Sequence, residues 1–179
     1  MQILLIVLYV IGGLVALFLI VALLTKKDYS ISREMEIAAP KQTVFDYVKS
    51  IRNQENYSVW VMKDPNVKII YTGTDGTPGF TSSWVSENKN VGVGEQEIKK
   101  VVEGESTEVE LRFKKPFEAT NYALTTVTDA GNGRTNVTTT FYGRSKFPMN
   151  VMNLFMDKLL SRDMLQNLSN LKAILEKQA

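Results

Sequence analysis

The chain has 179 residues, with 21 Lys and Arg against 19 Asp and Glu, and neither His nor Cys. Those two absences exclude an imidazole acid/base, a thiol nucleophile, a disulfide, a zinc–cysteine site and the usual ligation of haem or iron–sulfur clusters. Any catalysis must rest on carboxylates, Lys, Arg, Tyr, hydroxyls or a carboxylate-held metal, and the length suits one folded domain.

Residues 3–24, ILLIVLYVIGGLVALFLIVALL, hold no charge, Asn, Gln or Pro. At a rise of about 1.5 Å per residue such a helix reaches about 33 Å, enough for a hydrocarbon core of about 30 Å. A soluble core helix rarely stays apolar on every side for so many turns. A cleaved signal peptide is the competing reading. However, Met1-Gln2 stands where a basic leader belongs, and no Ala-x-Ala site precedes Lys26. We therefore expect residues 1–27 to form an uncleaved, single-pass transmembrane anchor and 28–179 to form the domain. Lys26, Lys27, Arg33 and Lys41 follow the apolar run, which places the domain on the cytoplasmic side by the positive-inside rule. Without Lys26 and Lys27 the domain has 19 bases against 19 acids, so it presents no global field to a nucleic acid.

In 31–37, ISREMEI, Ile31, Met35 and Ile37 fall on one face and Ser32, Glu34 and Glu36 on the other, the pattern of a half-buried strand. Pro40 opens a helix with Val44, Phe45 and Val48 on one side. A second short helical segment follows through 51–57, and Trp60 falls in the connection after it. Six more strands are expected from 66 to 144. Asp75-Gly76 supplies turn chemistry. Phe80, Ser82 and Trp84 share a face, and Gly92 and Gly94 mark a bulge. In TEVELRF, Val109, Leu111 and Phe113 point inward while Glu108, Glu110 and Arg112 point outward. Strands at 119–128 and 134–142 pair around Ala130-Gly131-Asn132-Gly133. From 149 the period changes. Met152, Phe155, Met156, Leu159, Leu160, Met164, Leu168, Leu171 and Leu175 recur at threes and fours, giving one amphipathic helix that Pro148 opens.

The order is strand, two short helices, six antiparallel strands and one long helix. This makes an α+β domain with a curved seven-stranded sheet around the C-terminal helix, preceded by one transmembrane helix. A sheet with one apolar face must bury it, and only the last helix is large enough to cover it. Two short helices cannot close the remaining gap, so a cavity is expected between helix and sheet. The chain resembles the helix-grip fold of the START-like (SRPBCC) superfamily, in its polyketide cyclase/dehydrase and lipid-transport branch. The resemblance is carried by EIAAPKQTVFDYVKSIRN, YTGTDGTPGFTSSWVSEN, VGVGEQEIKKVVEGESTEVELRFKKPFEA and LSNLKAILEK. It is a pattern spread over the domain and contains no catalytic signature. It implies a cavity for apolar ligands such as sterols, lipids or polyketides.

The rings available to line such a cavity are Trp60, Trp84, Phe80, Phe113, Phe117, Phe141 and Tyr142, though ordinary packing would use the same rings. Four of the seven Met, at 149, 152, 156 and 164, sit on the last helix and suit an adaptable wall or a flexible core. Glu95 and Glu97 share a strand face. Glu95 occupies the position after Gly-x-Gly, where the resemblance implies either a cap on the cavity or a residue that holds a turn. Lys114-Lys115-Pro116-Phe117 reads either as a contact for acidic lipid headgroups or as a strand edge protected against aggregation, and we favour the edge. The expected ligand-binding set is Trp60, Trp84, Glu95, Phe113, Phe117, Tyr142, Met152 and Met156. No metal, cofactor or nucleotide site is expected, since no acids cluster at metal-ligand spacing and no Gly-rich loop enters a helix. The leading reading is non-catalytic binding of a hydrophobic small molecule or lipid at the membrane face. A cyclase or dehydratase using Tyr142, Glu95 or Arg112 stays open. So does a tethered protein-interaction module with a filled interior.

Overall fold

The structure is a computed structural model and describes residues 2–177. Helix α1 (Gln2–Leu24) projects from the rest of the molecule. Of its side chains only Ala22 is buried. The apolar run therefore packs against none of the protein's own core over nearly its whole length.

The domain begins at once with β1 (Asp28–Ile37), followed by α2 (Lys41–Lys49). A 3-10 turn (Ile51–Asn53) and the short helices α3 (Gln54–Tyr57) and α4 (Val59–Met62) come next. Trp60 thus sits on a helical turn and not in a bare connection. Six strands follow: β2 (Lys68–Thr72), β3 (Thr81–Val85), β4 (Val93–Val102), β5 (Ser106–Lys115), β6 (Ala119–Gly131) and β7 (Arg134–Arg144). A 3-10 turn (Met149–Met152) leads into the long helix α5 (Asn153–Leu175).

The seven strands form one antiparallel sheet in the order β1-β7-β6-β5-β4-β3-β2. The chain's first strand therefore closes against its last. The register slips between Val93 and Gly94, where the glycines mark the expected bulge, and again between Ile98 and Lys100.

Strand alternation fixes two faces. Ile37, Val127 and Val137 share one with Leu168, Leu171 and Leu175 of α5 and with Val44, Phe45 and Val48 of α2 in a single core. A second cluster continues along the same concave face through Ile51, Phe80, Ile98 and Val109. Each fully buried aliphatic or aromatic side chain here contributes about 1.5–3 kcal/mol before entropic costs. This concentrates stability at the end of the sheet far from α1. The convex face carries Glu34, Glu36, Glu108, Glu110 and a Thr-rich row on β6 and β7.

Arg33 breaks the expected pattern. It occupies an inward position between Ile31 and Met35, where its guanidinium donates to Asp157 Oδ1 of α5 at 2.7 Å and to the Ser161 hydroxyl. A buried-side cation is tolerated because α5 supplies the carboxylate that neutralises it. The edge reading of Lys114-Lys115-Pro116-Phe117 is also corrected. β5 lies inside the sheet between β4 and β6, so there is no edge there to protect.

Candidate functional site

The concave face divides in two along its length. The end far from α1 is filled by α2 and by the second half of α5. On the side nearer α1, Trp84, Gln96, Leu111, Phe113, Ala123 and Phe141 occupy concave-face positions, yet none of them is buried. The stripe of α5 that buries Met164, Leu168 and Leu171 to about 2% exposure continues toward the start of the helix through Leu160 and Met156, which are only half-buried, and Met152 of the preceding turn is 45% exposed. The result is an open apolar trough between sheet and helix, where the sequence led us to expect a cavity. Helix periodicity fixes which face of α5 is apolar but not how closely its two ends approach the sheet.

The far wall of the trough is built around Gly94. A Cβ there would stand 2.5 Å from Trp84 Cζ2 and 2.8 Å from the Arg112 carbonyl, so only glycine lets the indole lie across β4. Trp84 then meets Phe113 edge-on, with ring centroids 5.7 Å apart, the arrangement that aromatic quadrupoles favour. Its Nε1 donates to the Val91 carbonyl at 3.3 Å, so the indole polar group is satisfied within its own hairpin. The near wall is built around Gly143. Tyr29 crosses it to donate its hydroxyl to Asn121 Oδ1 at 2.6 Å, and a Cβ on Gly143 would stand 2.4 Å from that same oxygen. Burial pushes the Tyr29 phenol up to about 12, so it stays a neutral donor at physiological pH. A further polar pair, Gln96 Nε2 to Gln54 Oε1 at 2.9 Å, ties β4 to α3. The trough is thus mostly apolar with a few fixed hydrogen-bonding groups, the composition of a small-molecule site.

The expected ligand-binding residues separate into three places. Trp84, Phe113, Met152 and Met156 border the trough or its covering helix. Trp60 on α4 and Phe117 in the β5–β6 loop are exposed at 36 and 79% and lie at its outer end. Glu95 and Tyr142 are corrected. They alternate with Gly94 and Phe141 and so point to the convex face. There Arg112 bonds Glu95 at 2.8 Å, Glu97 at 2.9 Å and also Glu110, while Tyr142 donates to Glu108 and stacks on Tyr122 at 5.4 Å. Hydrogen bonding to Arg112 holds the Glu95 carboxyl below its ordinary range. The three candidate catalytic residues, Tyr142, Glu95 and Arg112, therefore belong to a surface network on the wrong side of the sheet for a ligand in the trough.

The sequence reading missed the joint between α1 and the domain. Asn150, fully buried, donates Nδ2 to the carbonyls of Ala22 and Thr25 at 2.6 and 2.8 Å. Asn153 Nδ2 donates to the Lys26 and Lys27 carbonyls at 3.0 and 2.9 Å. Two amides thus satisfy one orphan carbonyl in the last turn of α1 and three carbonyls in the link that follows it. Their signal in the sequence was two Asn three residues apart on the inward stripe of an otherwise apolar helix start.

The family described as polyketide cyclase/dehydrase and lipid transport matches residues 28–176. Norcoclaurine synthase from Thalictrum flavum, solved with dopamine and hydroxybenzaldehyde, is 9% identical with a TM-score of 0.68, over 87% of this chain and 91% of that one. Protein CV1439 from Chromobacterium violaceum is 14% identical with a TM-score of 0.58, over 82% of this chain and 96% of that one. Protein Ms6760 from Mycobacterium smegmatis is 18% identical with a TM-score of 0.56, over 84 and 92%. At these identities the likeness is one of fold. No curated protein matches the chain.

Proposed function

The chain belongs to the polyketide cyclase/dehydrase and lipid-transport family, and from that premise we propose that it binds a hydrophobic small molecule or lipid, without catalysis, in the trough beside α5. Residues 1–27 hold the binding domain, 28–179, at a membrane. The domain faces the cytoplasm, consistent with Lys26 and Lys27 at the end of the apolar run. The ligand contacts Trp84, Leu111, Phe113, Ala123 and Phe141 on the sheet and Met152 and Met156 on the helix. Tyr29 and Asn121 offer it polar groups at one end.

The observation that carries this reading is the unequal burial of α5. An amphipathic helix that fully buries its stripe in the second half, and leaves Met156 and Leu160 of the same stripe half-covered beside an apolar, half-exposed sheet face, lacks a full covering partner there. An apolar ligand would remove that surface from water at about 25 cal/mol per Å², offset by the entropic cost of association. The flexible thioethers of Met152 and Met156 suit ligands of varied shape.

A photoactivatable diazirine fatty acid, added to the full chain in lipid nanodiscs and mapped by peptide mass spectrometry, tests it. Cross-links are expected on peptides holding Leu111–Phe113, Ala123 and Met152–Met156, and an excess of unlabelled fatty acid should compete them away. Cross-links confined to α1, or on the convex strands around Tyr122 and Tyr142, would refute the trough as the site.

A further inference from the structure

Building on the reading of α1 as a membrane anchor, we propose that the domain lies on the bilayer with the end of its sheet where α1 joins. Exposed apolar side chains there enter an anionic headgroup layer. The sheet topology decides which segments share that end. With every neighbouring pair antiparallel, the start of β1, the end of β7, the β5–β6 loop, the β3–β4 turn and the start of β2 fall together. Asn88 Nδ2 donates to the Lys63 carbonyl at 3.3 Å and brings α4 to the same end. The large apolar side chains exposed there are Trp60, Met62, Phe117, Phe147, Met149 and Met152. They come from three segments distant in sequence, and aromatic and Met side chains of this kind favour a membrane interface.

Depth follows from Ala22. It belongs to the apolar run, yet it is 1% exposed, and Asn150 of the Met149–Met152 turn bonds its carbonyl at 2.6 Å. Ala22 lies about 3 Å along the helix from Leu24, where the span ends. A turn packed at that level is held at the headgroups by the anchor itself.

The charges agree. Residues 25–28, 114–118 and 144–149 hold Lys26, Lys27, Lys114, Lys115, Arg144 and Lys146 against Asp28 and Glu118. Asp28 pairs with Arg144 at 2.9 Å, and Lys114 lies 3.4 Å from Glu95. At the opposite end Glu103, Glu105 and Asp129 stand against Arg134 and Lys49, which pairs with Glu103 at 2.9 Å, so no basic excess gathers there. A chain with a net charge of only +2 therefore carries a basic excess at the end toward the anchor. Basic clusters beside a membrane span are attracted to anionic lipid. An acidic soluble protein would match the charge but would leave the depth of Ala22 without a reason. In this pose the outer end of the trough, between Trp60 and Phe117, opens toward the lipid, so an apolar ligand passes between bilayer and trough without crossing water.

The chain has no Cys, so a single environment-sensitive dye reports without background. The full chain is reconstituted in phosphatidylcholine vesicles with and without phosphatidylserine, labelled at Leu14→Cys, Ala119→Cys, Met149→Cys or Glu105→Cys. In anionic vesicles a lipid-borne quencher should reach dyes at 14, 119 and 149 and spare the dye at 105. Replacing Lys115→Glu and Lys146→Glu should release the dye at 119, lowering the docked-to-undocked ratio roughly fivefold for each base removed. A quenched dye at 14 with dyes at 119 and 149 in water overturns the docking and leaves the anchor standing. A dye at 14 in water overturns both. Equal quenching at 105 and 119 overturns the orientation.

Discussion

Arg112 shows how much of the outer face is architecture. Its guanidinium draws Glu95, Glu97 and Glu110 together across β4 and β5; hydrogen bonding to Arg112 holds the Glu95 carboxyl below its ordinary range, and hydrogen bonding to Lys99 and then to Arg112 does the same for Glu97. Carboxyls depressed in the folded state add stability above their unfolded value of about 4.3, and that stability drains as pH falls through the lower folded values. Without Arg112 the three acids repel one another, and protonation then favours the fold. The Arg112→Leu variant is therefore expected to lose most thermal stability near pH 7 and least near pH 3 (approximate limits set by the carboxyl range). A difference between variant and parent that stays constant with pH would show that the ion cluster contributes nothing. Gly94 and Gly143 act at the same scale but toward the trough, since each removes a Cβ so that Trp84 or Tyr29 can cross a strand. Strand alternation made the outward placement of Glu110 and Arg112 legible in the sequence. The same alternation, taken from Gly94 and Phe141, would have placed Glu95 and Tyr142 outside as well.

At the scale of elements, the seven strands and the long helix were legible because each has a clean period of its own. The joints between elements were not, because a joint depends on contacts between segments far apart in the chain. Asn150 reaches Ala22 across 128 positions, and no local pattern encodes that meeting. Arg33 is similar. Its inward position could be counted along β1, but the reason it is tolerated lies on α5 at Asp157 and Ser161. The Asn joint carries a direct prediction. Asn150→Ala leaves the carbonyls of Ala22 and Thr25 without their donor, a loss of about 1–3 kcal/mol where such groups stay dry. Hydrogen exchange of the full chain in nanodiscs should then quicken at residues 22–28 and 147–153 while β5 to β7 keep their protection. Unchanged exchange at both segments would mean that the amide does not fasten α1 to the domain.

For the whole molecule, the buried core and the half-covered trough occupy opposite ends. The core of α2, β1, β7 and the second half of α5 lies far from α1, and the half-covered trough lies near it. That division leaves the trough side free to open or fill without unfolding the domain. It also explains why the sequence pointed to a cavity and the structure has an open trough. Apolar periodicity runs the full length of α5, but only packing decides which part of it is covered. The most direct test is native mass spectrometry of the full chain released from nanodiscs, with extraction of whatever stays bound, beside an Ala123→Trp variant that fills the trough floor. The proposed function predicts a discrete apolar species of one stoichiometry on the parent chain and its loss from the variant. A parent chain that carries nothing, or a species that Ala123→Trp retains in full, would contradict ligand binding in the trough.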